Sequence, residues 1–276
     1  MRKRLNVLSV VIIALLSLCA SSRKITPAKF AELCIKGDTQ AVIQAIKDGA
    51  NVNAELALTP LMYAAKNGHT ETVKALINAG ADINAKEDHD EWTALMFAKN
   101  PEIVALLINA GANLNYRDDS GNNALMVASI LGNTDTAKFL TKLGVDINAK
   151  NDSGQTALWL ATELEHSDTV KALIDAGADV NAKNDEGTPL IKAAMRDSLD
   201  TVKMLIKAGA DVNMKNASGN TALTIAAMYM NPDAINALID AGADVKARNN
   251  EGYTALDYAR KLKLFTVLRR LEALTK

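Results

Sequence analysis

Apolar residues recur through this chain at three-and-four spacing in two short runs, give way to a polar stretch, and then start again. Between Thr188 and Asn213 the first run carries Leu190, Ala193 and Ala194, and the second carries Val202, Leu205 and Ile206. Each run predicts a short helix with one apolar face. A threonine opens the first helix and can cap it, which is worth about 1 kcal/mol. Pro60 and Pro189 stand at first helical positions, where a missing N–H costs nothing. Glycine closes the second helix, supplying the left-handed residue that caps its last carbonyls.

Aligned on that glycine, the copies end at Gly49, Gly80, Gly111, Gly144, Gly177, Gly209 and Gly242, at intervals of 31, 31, 33, 33, 32 and 33 residues. The helix starts align as well, at Thr59, Thr93, Asn123, Thr156, Thr188, Thr221 and Thr254. A period this short means a repeat array. Two helices and a turned loop cannot bury an apolar face alone, so neighbouring copies must stack into a continuous core.

The third copy departs most from the pattern. Its leading polar stretch, Lys86 to Trp92, is one residue longer than its equivalents and places Glu91 where glycine recurs elsewhere. From Thr93 to Gly111 there are 18 residues, against 21 from Thr59 to Gly80. This predicts a truncated first helix, with Asn100-Pro101 starting the second directly, as Asn231-Pro232 does in the seventh copy.

The Thr-Pro/Ala-Leu start, the alanine pair, the Val-x-x-Leu-Ile run, Gly-Ala-Asp-Val-Asn and the turn glycine together resemble the ankyrin repeat, over roughly residues 26 to 276. The resemblance implies an all-α ankyrin-repeat solenoid of about eight helix-pair units joined by β-turn hairpin loops. The units are placed at about 26–54, 55–88, 89–118, 119–151, 152–184, 185–216, 217–249 and 250–276. The histidine that usually follows Thr-Pro-Leu is replaced by Met62, Met96, Met126, Trp159, Ile191, Thr224 and Asp257, so its hydrogen bonds do not carry over. By the family's geometry the next column, Tyr63, Phe97, Val127, Leu160, Lys192, Ile225 and Tyr258, faces a concave groove. So do residues beside the turn tips, such as Trp92, Asn122, Gln155 and Tyr253. Trp92, Phe97, Tyr63, Leu160 and Tyr253 are the candidate contacts for another protein, with Trp92 foremost because it lies in the irregular tip, where packing demands little of it.

The chemistry that composition leaves open is narrow. With 31 basic and 32 acidic residues there is no concentrated positive charge for nucleic acid. All 15 glycines are accounted for, seven at the copy ends, five at turn tips and three between paired helices, which leaves none for a phosphate-binding loop. His69, His89 and His166 fall in different copies without metal-ligand spacing. Asp82, Asp146, Asp179, Asp211 and Asp244 repeat in one column, as structural residues do. Lys86, Arg117, Lys150, Lys183, Lys215 and Arg248 form another, expected to be a ladder alternating with the acidic turns. No catalytic, cofactor-binding or metal-binding set emerges, and the chain is expected to be a monomeric, non-enzymatic scaffold.

Met1 to Arg4 is basic and Leu5 to Ala20 apolar, so residues 1–22 read as an export signal. Leu16 to Cys19 also looks like a bacterial lipobox, with Leu18 where the family usually has a small residue. Cleavage near Ala20 to Ser22 and lipidation of Cys19 are the two outcomes, giving an exported bacterial protein that is periplasmic or anchored to the membrane. Cys34 is then the one remaining thiol, in the alanine column of the first unit, and reads as a small core residue. The alternatives are a structural spacer without a specific partner, or a host-delivered or cytosolic interaction protein if the N-terminus is not processed.

Overall fold

The computed structural model describes residues 25–54 and 56–276. The signal segment 1–22 and Cys19 lie outside them. The chain divides into two compact units, Met1–Asp82 and Ile83–Lys276. The first holds α1 (Pro27–Lys36), α2 (Thr39–Lys47), α3 (Pro60–Asn67) and α4 (Thr70–Asn78). The second holds α5 (Ala94–Phe97), α6 (Pro101–Asn109), α7 (Ala124–Ile130), α8 (Thr134–Lys142), α9 (Ala157–Glu163) and α10 (Ser167–Asp175). It continues with α11 (Pro189–Met195), α12 (Leu199–Lys207), α13 (Ala222–Met228), α14 (Pro232–Asp240), α15 (Ala255–Lys261) and α16 (Phe265–Thr275). Among the described residues the only β pairing is two isolated bridges, Lys86 with Thr93 and Asn184 with Gly187. Within each unit the fold is the all-α helix-pair solenoid that the periodicity implies.

The packing follows from the predicted stripes. Leu61, Ala64, Ala65, Leu190, Ala193 and Ala194 on first helices are buried, as are Val73, Leu76, Val202 and Leu205 on second helices. Cys34 is buried among them as expected, and burial pushes its thiol up to about 12, which keeps it protonated and inert.

Capping follows the threonine column with one failure. Thr26, Thr59, Thr156, Thr188, Thr221 and Thr254 accept the N–H three residues on, and Asn123 does the same. Thr93 does not: in the four-residue α5 the Met96 N–H goes to the Thr93 carbonyl instead, at 3.1 Å. The truncation arises where expected: Ala98 leaves the helix at ψ 117°, and Asn100, preceding proline, is extended at φ −141° and ψ 160°. Its Oδ1 then accepts from Ile103 N–H at 2.9 Å and caps α6. Asn231 precedes proline too, yet it does not cap α14. Its Nδ2 donates instead to the Ala194 carbonyl of the previous copy, at 2.7 Å.

The copy-ending glycines all adopt positive φ, between 82° and 95°. At Gly209 the closing bonds run from Gly209 N–H to Ile206 and from Ala210 N–H to Leu205, which is the Schellman arrangement. A second left-handed residue lies between the paired helices, and there the copies diverge: Gly37, Gly68 and Gly132 hold it in three, Glu165, Asp197, Met230 and Lys263 in four. The neighbouring copy explains two of the glycines. His69 reaches back to hydrogen-bond the Ile35 carbonyl at 2.8 Å, and His166 the Ile130 carbonyl at 3.0 Å. Each ring lies over a glycine, and a Cβ would stand 2.4 Å from the His69 ring at Gly37 and 2.8 Å from the His166 ring at Gly132.

Three substitutions separate these effects. Gly209→Ala meets no neighbouring atom and should cost only the left-handed penalty, about 1–2 kcal/mol. Gly132→Ala adds the displacement of His166 and should cost clearly more in urea unfolding. Met230→Gly removes an existing left-handed penalty and should stabilise by about 0.5–1 kcal/mol, the offset being glycine's greater chain entropy.

Candidate functional site

The polar loops carry the departures, and their geometry begins with one side chain per tip. Asn151 Oδ1 accepts from Ser153 N–H at 3.1 Å and Gln155 N–H at 2.8 Å, folding the turn around its own first residue. Asp118, Asn216 and Asn249 repeat this. The third copy has one extra residue to span, and there the residue is Glu87, one methylene longer. Its carboxylate accepts from His89 at 2.9 Å, Asp90 at 2.6 Å and Trp92 at 3.2 Å. Burial pushes this carboxyl up, but the backbone N–H groups outweigh it and hold it below its ordinary value. Glu91 takes the glycine position at φ 57° and is held by Lys86 at 2.8 Å and the Tyr116 hydroxyl at 2.9 Å.

Trp92 is fixed by these surroundings. Its indole N–H donates to Asp118 Oδ2 at 2.8 Å, and its ring lies 5.3 Å from that of Phe97, tilted by 60°. The expectation that packing asks little of Trp92 is therefore corrected: the residue is half-buried and joins two consecutive tips. Asp119 lies beside this group, and desolvation together with the charge of Glu91 pushes its carboxyl up.

The groove column is less open than the family geometry implied. Phe97, Val127, Leu160, Lys192 and Ile225 are all buried, and Leu160 keeps only 8% of its surface. Phe97 and Leu160, expected as contacts, are thus packing residues. Tyr63 is half-buried in the first unit, while Tyr253 is 44% exposed with its ring 5.6 Å from Tyr258.

One arrangement has no counterpart in the sequence reading. The Lys192 ammonium is buried, 4.4 Å above the Trp159 ring, and meets Glu186 at 2.7 Å and Glu163 at 3.4 Å. Arg196 joins Glu163 at 3.1 Å. The available signal was a lysine in an otherwise apolar or aromatic column. Trp159 occupies the missing-histidine column, where Asp257 Oδ2 accepts from Thr254 N–H at 2.8 Å and Met62 Sδ from Thr59 N–H at 3.5 Å. Indole cannot accept in this way, and its buried Nε1 finds no acceptor among the described residues.

Two ladders join the copies below the tips. Asn84, Asn148, Asn181 and Asn213 accept from backbone N–H groups of the following copy, at Asn113, Asp179, Asp211 and Asp244, over 2.7–3.0 Å. The cation column was expected to pair with the acidic turns. It donates instead to backbone carbonyls of the next copy: Arg117 to Lys150, Lys150 to Lys183 and Lys215 to Arg248, each at 2.9 Å. Lys86, paired with Glu91, and Arg248, which donates to the Gly252 carbonyl of its own tip, depart from this rule. The aspartate column is structural, Asp146, Asp179, Asp211 and Asp244 each accepting the N–H two residues on at 2.9 Å.

Loss of the Glu87 carboxylate should open the third tip. Glu87→Ala is expected to cost about 2 kcal/mol, and Glu87→Asp, one methylene too short, to recover only part of it. Because the folded pKa of Glu87 is depressed, its stabilisation is present above the unfolded carboxylate value and is lost as pH falls through the folded one. Tryptophan fluorescence followed into acid, compared with Glu87→Gln, reads this directly.

Residues 30–118, 84–151, 98–184, 143–216 and 190–272 match the family described as ankyrin repeats (3 copies). Among curated proteins, none matches the chain. Ankyrin repeats typically mediate binding to another protein. With matches running from residue 30 to 272, and with capped helix pairs, left-handed glycine closures and side-chain-folded tips in register, the chain belongs to the ankyrin-repeat family.

Proposed function

We propose that this chain is a non-catalytic, monomeric protein–protein interaction scaffold of the bacterial cell envelope, exported by its N-terminal segment and periplasmic or anchored through a lipidated Cys19. The observation that carries the binding reading is the third tip, where the Glu87 clamp, the Asp118 acceptor and Phe97 hold Trp92 in one place before any partner arrives. Preorganised aromatic surface binds at lower entropic cost than a mobile side chain. Tyr253 and, in the first unit, Tyr63 are further contacts of the same kind. Phe97 and Leu160 act from beneath, by supporting the surface.

The second reading, a spacer without a specific partner, draws on the burial of Phe97 and Leu160, which leaves little apolar surface in the column. The two readings differ in one comparison. Trp92→Ala with Tyr253→Ala should reduce capture of a partner from envelope extract at least tenfold, whereas Leu143→Ala, exposed at the end of α8, should leave it unchanged. Capture that survives the double substitution favours the spacer. Export is tested separately by intact mass: a lipidated protein starts at Cys19 and gains the mass of acyl chains, and Cys19→Ala loses that increment.

A further inference from the structure

The left-handed residue between paired helices is exposed in the later copies and makes no packing demand on its side chain. Along the second unit it nevertheless changes character, from Glu165 and Asp197 to Met230 and then Lys263. Apolar side chains gather at the same end. Met230 is 56% exposed, Tyr229 beside it 48%, and Phe265, two residues beyond Lys263, 70%. At the position of Phe265 preceding copies of this unit carry Thr134, whose hydroxyl meets Thr169 of the next copy at 2.8 Å, Ser167, Leu199 and Pro232, of which the two apolar ones are half-buried.

Charge points the same way. Arg260 pairs with Glu272 at 3.1 Å, and Arg270 turns inward to Asn236 and Asp240. The charges of the last copy are therefore partly consumed within the fold. Lys261, Lys263 and Arg269 are exposed and have no side-chain partner among the described residues, and Arg269 follows Phe265 by one helical turn, on the same face of α16. The acids adjoining the group in sequence are Asp233, exposed in the first turn of α14, and Glu272, one turn beyond Arg269 and already paired with Arg260.

We propose that this turn edge, formed by Tyr229, Met230, Lys261, Lys263, Phe265 and Arg269, docks on an anionic lipid surface. Three protruding apolar side chains are too few for a stable protein interface, which buries at least about 1,000 Å². They suit insertion into the headgroup boundary, where unpaired cations add attraction to acidic lipids. The site lies away from the tips and does not depend on the protein-binding reading.

The test is sedimentation of the full chain with phosphatidylcholine vesicles, with and without phosphatidylglycerol. Any binding by the apolar N-terminal segment is common to wild type and variants. The proposal expects a preference for the anionic vesicles that weakens with salt, falls about fivefold for each of K261Q, K263Q and R269Q, and falls at least tenfold for F265S. Circular dichroism should be unchanged, since these side chains are exposed. Equal partition of wild type into both vesicle types, or an anionic preference no weaker in the triple cation variant than in wild type, overturns it. A soluble acidic polypeptide that binds the same cations while F265S is silent assigns the edge to an acidic protein and overturns the lipid reading.

Discussion

Every copy of this chain lays a polar loop beside its helix pair, and the backbone N–H groups of that loop must find acceptors. An isolated copy could not supply them all. The asparagine column solves the problem across copies, each Oδ1 accepting from the loop that follows: Asn53 from Asp82 in the first unit, and Asn84, Asn148, Asn181 and Asn213 in the second. The lysine and arginine column meets the complementary need, donating to carbonyls of the next loop. Helix burial and loop satisfaction therefore both require a neighbour, which is why stability in such arrays resides in the interfaces as much as in the copies.

The third copy shows how local chemistry absorbs an irregularity. Its first helix loses a turn and its tip gains a residue, and each change has a compensation nearby. The shortened first helix goes without a threonine side-chain cap, and Asn100 caps the second helix that starts directly behind it. Glu87 takes over folding of the tip from a shorter aspartate or asparagine. Trp92 then ties that tip to the next through Asp118. A surface suited to recognition thus emerges from repairs to the repeat, with no residue set imported from outside it.

Helix content and register could be read from the chain because the apolar stripes, the threonine caps and the closing glycines each recur in several copies and constrain one another. Chemistry across copies was harder to read. The family resemblance that placed Phe97 and Leu160 beside a groove carries no information about how deeply neighbouring first helices bury that column. Likewise, a lysine column looks the same whether it faces carboxylates or carbonyls, and only the stacked loops decide. Asn100 and Asn231 precede proline alike, yet one caps its helix and the other bonds the copy before it. Residues 1–22, which carry the export reading, lie outside the described structure.

The pairing of His69 with Gly37 and of His166 with Gly132 bears on how the array can change over time. Repeats are gained, lost and exchanged by recombination between similar segments, which treats copies as interchangeable. Here a copy bearing histidine at that corner keeps its hydrogen bond undisturbed behind a predecessor bearing glycine, and any larger residue there must displace the ring. The heritable unit is therefore a pair of neighbours, and an exchange that splits one would leave the bulky ring against a side chain with no room for it.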